Sequence, residues 1–290
     1  MRRANGRTSP IIPIRLPGLA PFGLHVHDRP DRFISAQLRR RGVWEPFESR
    51  MALALLDPGE GFVDLGANLG YYTLLAAARV GPHGRVFAFE PDPDNYALLE
   101  RNLAANRATQ ARAERCAVGA AAGEARLYLS EDNLGDHRLY DSGDGRRAVS
   151  TPVIALDGYF GDRVRFPRGA GALHLIKADT QGCEALILRG AAAWIAEQGA
   201  RLCWLLEFWP FGLARCGTGA DELLERLAAL DVHLAIVQED AGRAVPTDGR
   251  ALARLAREGL HPETGRFLNL VAVPRANGER WARVLALGET

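Results

Sequence analysis

The chain has 290 residues, and its 36 basic and 35 acidic side chains give a formal charge of +1. Hydrophobic residues make up 47% and charged residues 24%, which is typical of a soluble globular protein and disfavours a largely disordered or collagen-like chain. The near-zero charge also gives no reason to expect a general nucleic-acid binder, because affinity for phosphates depends on an excess of Lys and Arg on one surface.

The sequence shows no pattern typical of secretion or membrane insertion. The segment after the basic N-terminus, residues 11–22, contains three prolines and so does not form the apolar stretch of a signal peptide. No run approaches the roughly 20 apolar residues of a membrane span. The four cysteines include no CxxC pair and are expected to be buried thiols. We therefore expect a cytoplasmic protein without a membrane span.

Residues 1–46 are rich in Pro, Arg and Gly and predict an N-terminal extension with one short helix. From residue 47 onward, strand-like and helix-like segments alternate. The predicted elements are a helix at 47–56, strands at 61–65, 85–89 and about 113–118, and helices at 71–80 and about 93–106. Such alternation with short connections is typical of a parallel sheet with helices on both faces.

The segment at about 124–166 departs from this alternation. Two strand-like pieces, 125–129 and 149–155, flank a polar loop at 130–145, and we interpret the segment as an insertion on the substrate side. The alternation resumes with strands at 173–178, 201–206, 233–237 and 267–273 and helices at 184–196 and 220–230. The chain therefore predicts one doubly wound α/β domain over residues 47–290, with about seven strands in a continuous sheet.

The strongest motif lies where the first strand turns into the first helix of this domain, in the run FVDLGANLGYYT at 62–73. Gly66 and Gly70 let the backbone pass close to a ligand. The helix that follows presents free N–H groups and the positive end of its dipole to an anion, and Asp64 at the strand end would face a positive group. A ligand that carries a carboxylate and an ammonium group on one carbon satisfies both demands.

The second motif is the strand VFAFEP at 86–91, which ends in Glu90, 20 positions after Gly70. A carboxylate at this position accepts hydrogen bonds from ribose hydroxyls in nucleotide-binding βαβ units. The two motifs together indicate an adenosine-type ligand. Asn68 replaces the middle glycine that lets a pyrophosphate approach the backbone in dinucleotide enzymes, and this favours S-adenosylmethionine over a nicotinamide dinucleotide.

These two runs and a third, IKADTQGCE at 176–184, resemble the FkbM family of S-adenosylmethionine-dependent methyltransferases. The resemblance covers roughly residues 43–273. It implies the seven-stranded class I (Rossmann-like) methyltransferase fold with the last strand antiparallel, and S-adenosylhomocysteine as a product. It also implies methylation of a hydroxyl on a sugar, glycan or polyketide-like product.

The resemblance also implies roles for particular residues. It places the donor in contact with Glu45, Asp64, Gly66, Ala67, Asn68, Gly70, Thr73, Glu90 and Asp179. In this set Glu90 would hold the ribose, Asp179 would lie near the transferred methyl group, and Glu45 would reach the donor if the extension folds over the site. One departure is Gln181, where the family usually has an acidic residue.

An alcohol acceptor loses a proton when it is methylated, and a base within hydrogen-bond reach speeds this step. We consider His137 in the polar loop, whose ordinary pKa is near neutrality, and Glu207 at the end of the 201–206 strand. Asp179 is a third catalytic candidate, because its strand should lie beside the first strand, where α/β sheets bind ligands. The chain's only lysine, Lys177, points to the same side and either pairs with a site carboxylate or bridges strands structurally.

Other features leave alternatives open. Four aspartates crowd the polar loop (Asp132, Asp136, Asp141 and Asp144), but their spacing matches no EF-hand, and we predict no metal site. Four aromatic residues could line an acceptor pocket or belong to the core: Trp204, Phe208, Trp209 and Phe211. The competing functions are a nicotinamide-dependent oxidoreductase, a non-catalytic adenosyl-ligand-binding protein, and a methyltransferase for a nitrogen or macromolecular acceptor. A homo-oligomer is compatible with the sequence.

Overall fold

The computed structural model describes residues 11–28, 31–163, 172–198, 201–260 and 266–288. The basic N-terminus and the predicted end of the insertion at residue 166 lie outside these described residues. The strands are β1 (Ile12–Ile14), β2 (Phe22–Leu24), β3 (Gly61–Leu65), β4 (Arg85–Phe89), β5 (Ala111–Glu114), β6 (Ala117–Val118), β7 (Gly123–Tyr128), β8 (Ala148–Ile154), β9 (Leu173–Ala178), β10 (Cys203–Phe208), β11 (Val232–Gln238), β12 (Arg243–Thr247) and β13 (Leu268–Pro274). The helices are α1 (Ile34–Arg41), α2 (Pro46–Leu55), α3 (Tyr71–Val80), α4 (Pro93–Ala105), α5 (Leu156–Gly158), α6 (Glu184–Arg189), α7 (Ala192–Gln198), α8 (Pro210–Arg215), α9 (Ala220–Ala229), α10 (Gly249–Glu258) and α11 (Gly278–Ala286).

A mixed sheet organises the fold, with strand order β12-β11-β13-β10-β9-β3-β4-β5. The strands from β10 to β5 in this order pair in parallel. Strand β13 lies between β10 and β11 and is antiparallel to both, which confirms the predicted antiparallel last strand. Large apolar cores cover both faces of the sheet, as the prediction of a doubly wound α/β domain requires.

The seven strands predicted for the continuous sheet are all represented in it, and the structure adds one strand that was not predicted. The sheet has an eighth strand, β12, because the chain folds back after β11 as a hairpin. The two strands predicted within the insertion are β7 and β8, which form a separate three-stranded sheet with β6. The predicted strand at 113–118 is therefore divided: β5 closes the main sheet, and β6 begins the smaller one.

The predicted helix at 184–196 is also two helices, α6 and α7. Gly190 ends α6, and it lies so close to Gly119 that a Cβ atom at position 190 would overlap the Gly119 carbonyl oxygen. The close approach bends the chain where helical periodicity alone predicts continuity.

The N-terminal extension contains the β1–β2 hairpin as well as the helix α1. Two asparagines four residues apart hold the β2 end of this hairpin through their side-chain amides: Asn102 in the last turn of α4, and Asn106, which follows α4. The Asn102 amide accepts from the N–H of His25 at 2.7 Å and donates to its carbonyl at 2.9 Å. The Asn106 amide does the same with Gly23, at 2.8 and 2.7 Å. Across the part of the chain that is described, no helix is long and apolar enough to cross a membrane.

Gly66, which follows β3, packs closely against Asp179, which follows β9. A Cβ atom at position 66 would overlap the carbonyl oxygen of Asp179, and the φ of Gly66 is 81°. We expect Gly66→Ala to lower the free energy of unfolding by about 3 kcal/mol, through left-handed strain and a forced backbone shift. Gly59 has a φ of 83° with open space around it, so Gly59→Ala should lose only about 1 kcal/mol. Urea denaturation of both variants tests this, and equal losses would contradict the steric argument.

Candidate active site

The site lies where β3 and β9 run side by side. Leu65 pairs with Ala178 at their carboxyl ends, and the N–H of Asp179 donates to the Leu65 carbonyl at 3.1 Å. The two turns that follow, 66–70 and 179–183, therefore meet at one edge of the sheet. Left-handed dihedrals at Asn68 (φ 51°) and Gln181 (φ 55°) shape these turns. This edge is where open α/β sheets bind ligands.

A first cavity opens beside these turns. Four of the residues predicted to contact the methyl donor line this cavity: Gly66, Asn68, Glu90 and Asp179. Its apolar wall comes from β6 and the residue before it, from the insertion, and from the residue before α6: Cys116, Ala117, Val118, Leu127, Leu139 and Cys183. The cavity thus joins a polar edge at the ends of β3, β4 and β9 to a flat apolar wall.

The Glu90 side chain is fixed by backbone donors. One carboxylate oxygen accepts from the N–H of Asn68 at 2.7 Å, and the other accepts from the N–H of Asp92 at 2.8 Å. Burial raises the pKa of Glu90 to about 8, although these two hydrogen bonds act to lower it. The carboxyl group keeps its place between the turn and α4 before any ligand binds.

The backbone carbonyl of Leu134 links the insertion to the wall of the first cavity. The side-chain amides of Asn68 and Asn95 both donate to the carbonyl oxygen of Leu134, at 2.8 and 2.9 Å. The Asn68 side chain therefore connects the turn after β3 to the polar loop. The loop is tied to the cavity rather than lying at a distance from it.

His137, a predicted base, lines this first cavity. Its Nδ1 accepts a hydrogen bond from the N–H of Ser130 at 3.0 Å, and its Nε2 lies 3.9 Å from a carboxylate oxygen of Asp92. In the neutral imidazole this arrangement places the proton on Nε2, so the ring presents a donor toward Asp92. The geometry gives His137 a place on the Glu90 side of the site.

A second cleft adjoins the first, and both are lined by Gly135, Asp179 and Gln181. The extension contributes Phe33, Ile34, Trp44 and Glu45 to its wall. The remaining lining residues are Asn133, Asp136, Arg138, Glu207, Trp209, Phe267 and Asn269. Arg138 forms a bidentate pair with Asp136 at 2.7 and 2.9 Å.

Lys177 is buried between the sheet and α2, and carboxylates surround it. Its ammonium group lies 3.0 Å from Asp179 and 3.4 Å from Glu48, and 4.6 Å from the ring centre of Tyr72. Burial opposes the charge, but Asp179 and Glu48 outweigh burial and raise the pKa of Lys177 above its ordinary value. Lys177 is therefore a permanent cation, and its predicted pairing with a site carboxylate is present.

The extension joins this network. Tyr72 donates its phenol hydrogen to Glu45 at 2.9 Å, and burial together with the nearby Glu48 raises the pKa of Glu45 to about 8. Glu48 accepts from the side-chain amide of Asn269 at 2.7 Å, and burial raises its pKa as well. The N–H groups of Phe47 and Glu48 donate to the Glu239 carboxylate at 2.9 Å each, which caps α2.

Glu207 ends β10, is 6% exposed, and lines the second cleft. Burial, followed by the negative charge of Asp179, raises the pKa of Glu207 well above its ordinary value. Its Oε2 atom has no hydrogen-bond partner among the described residues. A buried carboxyl oxygen without a partner at a cleft wall indicates a position for a ligand's polar group.

Four of the residues predicted to contact the methyl donor line neither cavity: Asp64, Ala67, Gly70 and Thr73. Asp64 accepts a hydrogen bond from the Thr73 hydroxyl at 2.6 Å, and burial raises its pKa to about 6. Ala67 and Gly70 belong to the turn above them, where a Cβ atom on Gly70 would contact Leu99 at 2.6 Å. Asp64 and Thr73 therefore bond to each other, and Ala67 and Gly70 form part of the turn without facing either cavity.

Three of the four loop aspartates, Asp132, Asp136 and Asp144, pair with arginines. Asp136 binds Arg138 and Arg146, and Asp144 also binds Arg146. Within the described ranges, no group of three or more His, Cys, Asp or Glu side chains is arranged to hold a metal ion. Among the aromatic candidates, Trp204 and Phe208 belong to the core, whereas Trp209 lines the second cleft.

Several residues at the site were not predicted from the sequence. Glu48, Asn95, Leu134 and Asn269 are scattered over four elements and carry no motif. Gln181 was noted only as a departure from a family pattern, yet it lines both cavities, and its amide donates to Asp179 at 3.1 Å. The amide can donate where a carboxylate could not, so Asp179 has a donor on each of its two oxygens.

The fold and the site define an α/β protein with the Rossmann-like architecture of methyltransferases. The family model described as "Methyltransferase FkbM domain" matches residues 64–211. The chain belongs to this family. The match begins at the end of β3 and ends within α8, so it includes both turns of the site.

Two curated relatives are similar to part of the chain. "Methyltransferase sdnD" of Sordaria araneosa is 28% identical over 167 residues, which are 48% of this chain and 62% of that protein. "31-O-demethyl-FK506 methyltransferase FkbM" of Streptomyces tacrolimicus is 28% identical over 166 residues, which are 47% of this chain and 60% of that protein. The chain therefore spans less than two thirds of the length of either relative.

A solved structure of methyltransferase FkbM from Methylobacillus flagellatus is 16% identical, with a TM-score of 0.42, and the match covers 83% of this chain and 48% of that chain. Such a superposition is loose. The strand order and the antiparallel β13 establish the architecture on their own.

The charge of Lys177 should be essential to the stability of the site. We expect Lys177→Met to lower the free energy of unfolding by about 3–5 kcal/mol at pH 8, because it leaves buried carboxylates without a partner. The pKa of Glu48 is raised in the folded state, so the loss should shrink as pH falls and Glu48 takes up a proton, and grow as pH rises through its folded pKa.

Arg189→Met is the matched control, because Arg189 is 45% exposed and pairs with Glu222 at the surface. This variant should lose less than about 1 kcal/mol at either pH. Urea denaturation at pH 5 and pH 8 provides the comparison. A loss in Lys177→Met that does not depend on pH would contradict the electrostatic explanation.

Proposed function

We propose that the chain transfers a methyl group from S-adenosylmethionine to a hydroxyl group of a small molecule. The observation that carries the proposal is the junction of the two cavities at Asp179 and Gln181. A donor that fills the first cavity with its adenosine end reaches this junction with its methionine end. An acceptor in the second cleft then approaches the same point.

The first cavity suits the adenosine end. Glu90 is held with its carboxyl group at the cavity, where it can accept hydrogen bonds from ribose hydroxyls. The apolar wall formed by residues 116–118 and Leu127 suits the face of a purine ring. Asn68 at the turn leaves no glycine path for a pyrophosphate, which favours the sulfonium donor over a dinucleotide.

The charge of the junction suits a cationic donor. When bound, S-adenosylmethionine supplies a methyl group on a positively charged sulfur next to an ammonium group. Asp179, Glu45 and Glu48 place carboxyl groups around the junction, with Lys177 as the cation among them. The carboxylate of Asp179 keeps its orientation through Lys177 on one oxygen and Gln181 on the other.

Glu207 is the proposed base on the acceptor side. It lines the second cleft with Oε2 unpartnered among the described residues, so an acceptor hydroxyl can donate to this atom. Burial and the negative charge of Asp179 raise the pKa of Glu207, which favours its protonated form before ligands bind. A positive charge arriving at the junction lowers that pKa and favours the carboxylate that accepts the acceptor's proton.

The shape of the second cleft supports a ring-bearing acceptor such as a sugar, a glycan or a polyketide-like product. Trp44, Trp209, Phe33 and Phe267 line it, and both phenylalanines are about half exposed at its mouth, at 50% and 55%. Aromatic side chains stack on ring faces. The Streptomyces relative is named for a 31-O-demethyl acceptor, which is in keeping with an oxygen acceptor.

The donor proposal predicts a clear effect at Glu90. We expect Glu90→Ala to weaken the binding of S-adenosylhomocysteine by at least about tenfold, since it removes the carboxyl group that would accept hydrogen bonds from the ribose hydroxyls. Glu100→Ala, which changes an exposed carboxylate on α4, should bind like the unaltered protein. Calorimetric titration of the folded proteins measures both. Unchanged affinity in Glu90→Ala would exclude Glu90 from the donor site.

The base assignment predicts that Glu207→Gln lowers the single-turnover rate by about 10²- to 10⁴-fold. The acceptor for this assay is the hydroxylated compound that gives the fastest S-adenosylhomocysteine release in a screen of sugars and polyketides. The rate of the unaltered protein should rise with pH, because the raised pKa of Glu207 must be passed before it accepts a proton, and the Gln variant should lack this rise.

His137→Asn is the comparison for the base. Because His137 lines the first cavity, its effect should fall on S-adenosylhomocysteine affinity. If His137→Asn abolishes the pH-dependent rise and Glu207→Gln retains it, the two roles are reversed.

A further inference from the structure

Cys183 and Cys216 lie side by side, although they are 33 positions apart in the sequence. Their Sγ atoms are 3.3 Å apart, and both side chains are thiols. Cys183 precedes α6 and is 1% exposed, whereas Cys216 follows α8 and is partly exposed. The proposed methyl transfer uses neither sulfur.

Backbone packing brings the two thiols together. Gly182 has a φ of 106° and lies so close to α8 that a Cβ atom would overlap the Gly212 backbone. Gly212 and Cys216 are four residues apart, and the N–H of Cys216 donates to the Gly212 carbonyl at 2.9 Å, so both face the same side of α8. A disulfide requires an S–S distance of about 2.05 Å. The sulfurs need to approach by only about 1 Å from their 3.3 Å separation.

We propose that Cys183 and Cys216 are a modification site, at which a low-molecular-weight disulfide converts the pair to an internal disulfide. We further propose that this cross-link weakens ligand binding in the first cavity. The first half is independent of the proposed function, and the second half rests on it.

The chemistry is two successive thiol–disulfide exchanges. The Cys216 thiolate attacks oxidised glutathione, so that a mixed disulfide forms and one glutathione thiol leaves. Cys183 then loses its proton and attacks the Cys216 sulfur, which releases the second glutathione as a thiol. The protein gives up two electrons and two protons, and these reduce the glutathione disulfide to two thiols.

The two thiols have different parts in this sequence. The hydrogen bond to Cys216, together with burial, raises the pKa of Cys183 well above its ordinary value. A buried thiol with a raised pKa is a poor first nucleophile. The partly exposed Cys216 is therefore the thiol that meets the oxidant, and Cys183 is the one that closes the bond.

The cross-link reaches the first cavity through Cys183. This residue lines the cavity together with Thr180 and Gln181, which precede it in the same turn. Bond formation draws Cys183 toward α8 and pulls on that turn. Because protein interiors are close-packed, a displacement of this size changes the wall that the donor would contact.

The test uses the full chain, incubated with oxidised glutathione and analysed by intact and peptide mass spectrometry without reduction. We expect the loss of two hydrogen atoms and a cross-linked peptide pair containing Cys183 and Cys216. Cys216→Ser should form no such cross-link. Cys203→Ser is the matched control: burial raises the pKa of Cys203 to about 11, and this variant should form the cross-link normally. Absence of the Cys183–Cys216 peptide pair in the unaltered chain would overturn the modification site.

Calorimetry with S-adenosylhomocysteine tests the second half on reduced, oxidised and re-reduced protein. We expect affinity to fall at least about fivefold on oxidation and to return on reduction, whereas Cys216→Ser should not respond to the oxidant. Unchanged affinity in the cross-linked protein would overturn the coupling. If the reduced protein does not bind S-adenosylhomocysteine, the donor proposal fails and the coupling with it, while mass spectrometry still decides the modification site.

Discussion

The structure of the site depends on a buried ammonium group and the carboxylates around it. Lys177 lies 3.0 Å from Asp179 and 3.4 Å from Glu48, in an environment that would expel an unpaired charge. The pairing of Lys177 with Asp179 and Glu48 therefore joins β9 to the turn that follows it and to α2. The only lysine of the chain occupies this position, and its compact ammonium group suits a place among several carboxylates.

The raised pKa values of the carboxyl groups at the site bear on the proposed function. Burial raises the pKa of Glu45, Glu48, Asp64, Glu90 and Glu207, so the empty site is closer to neutral than its number of carboxyl groups implies. A cationic ligand would favour ionisation of these groups. In the proposed reaction, the binding of a positively charged donor would change the protonation of these groups, including the carboxyl of Glu207.

Prediction from the sequence succeeded where local rules operate. The turns after β3 and β4 and the acidic residue at the end of β4 could be recognised because glycines, strand periodicity and helix starts are local in the chain. The alternation of strands and helices likewise predicted the doubly wound sheet. Prediction from the sequence missed β12, which is an edge strand paired with β11 in a hairpin. It also missed the break between α6 and α7, because that break depends on the contact of Gly190 with Gly119, which is distant in the sequence.

By itself, the sequence determined the α/β class, the place of the glycine-containing turn after β3, and the resemblance that the family match confirms. Tertiary structure alone decided which side chains share a cavity. It placed His137 in the first cavity and Glu207 in the second cleft, brought Glu48 and Asn269 to Lys177, and set Cys183 against Cys216. The physical reason is that burial, charge pairing and steric contact act between residues near in space, whereas a sequence pattern reports only residues that are near along the chain.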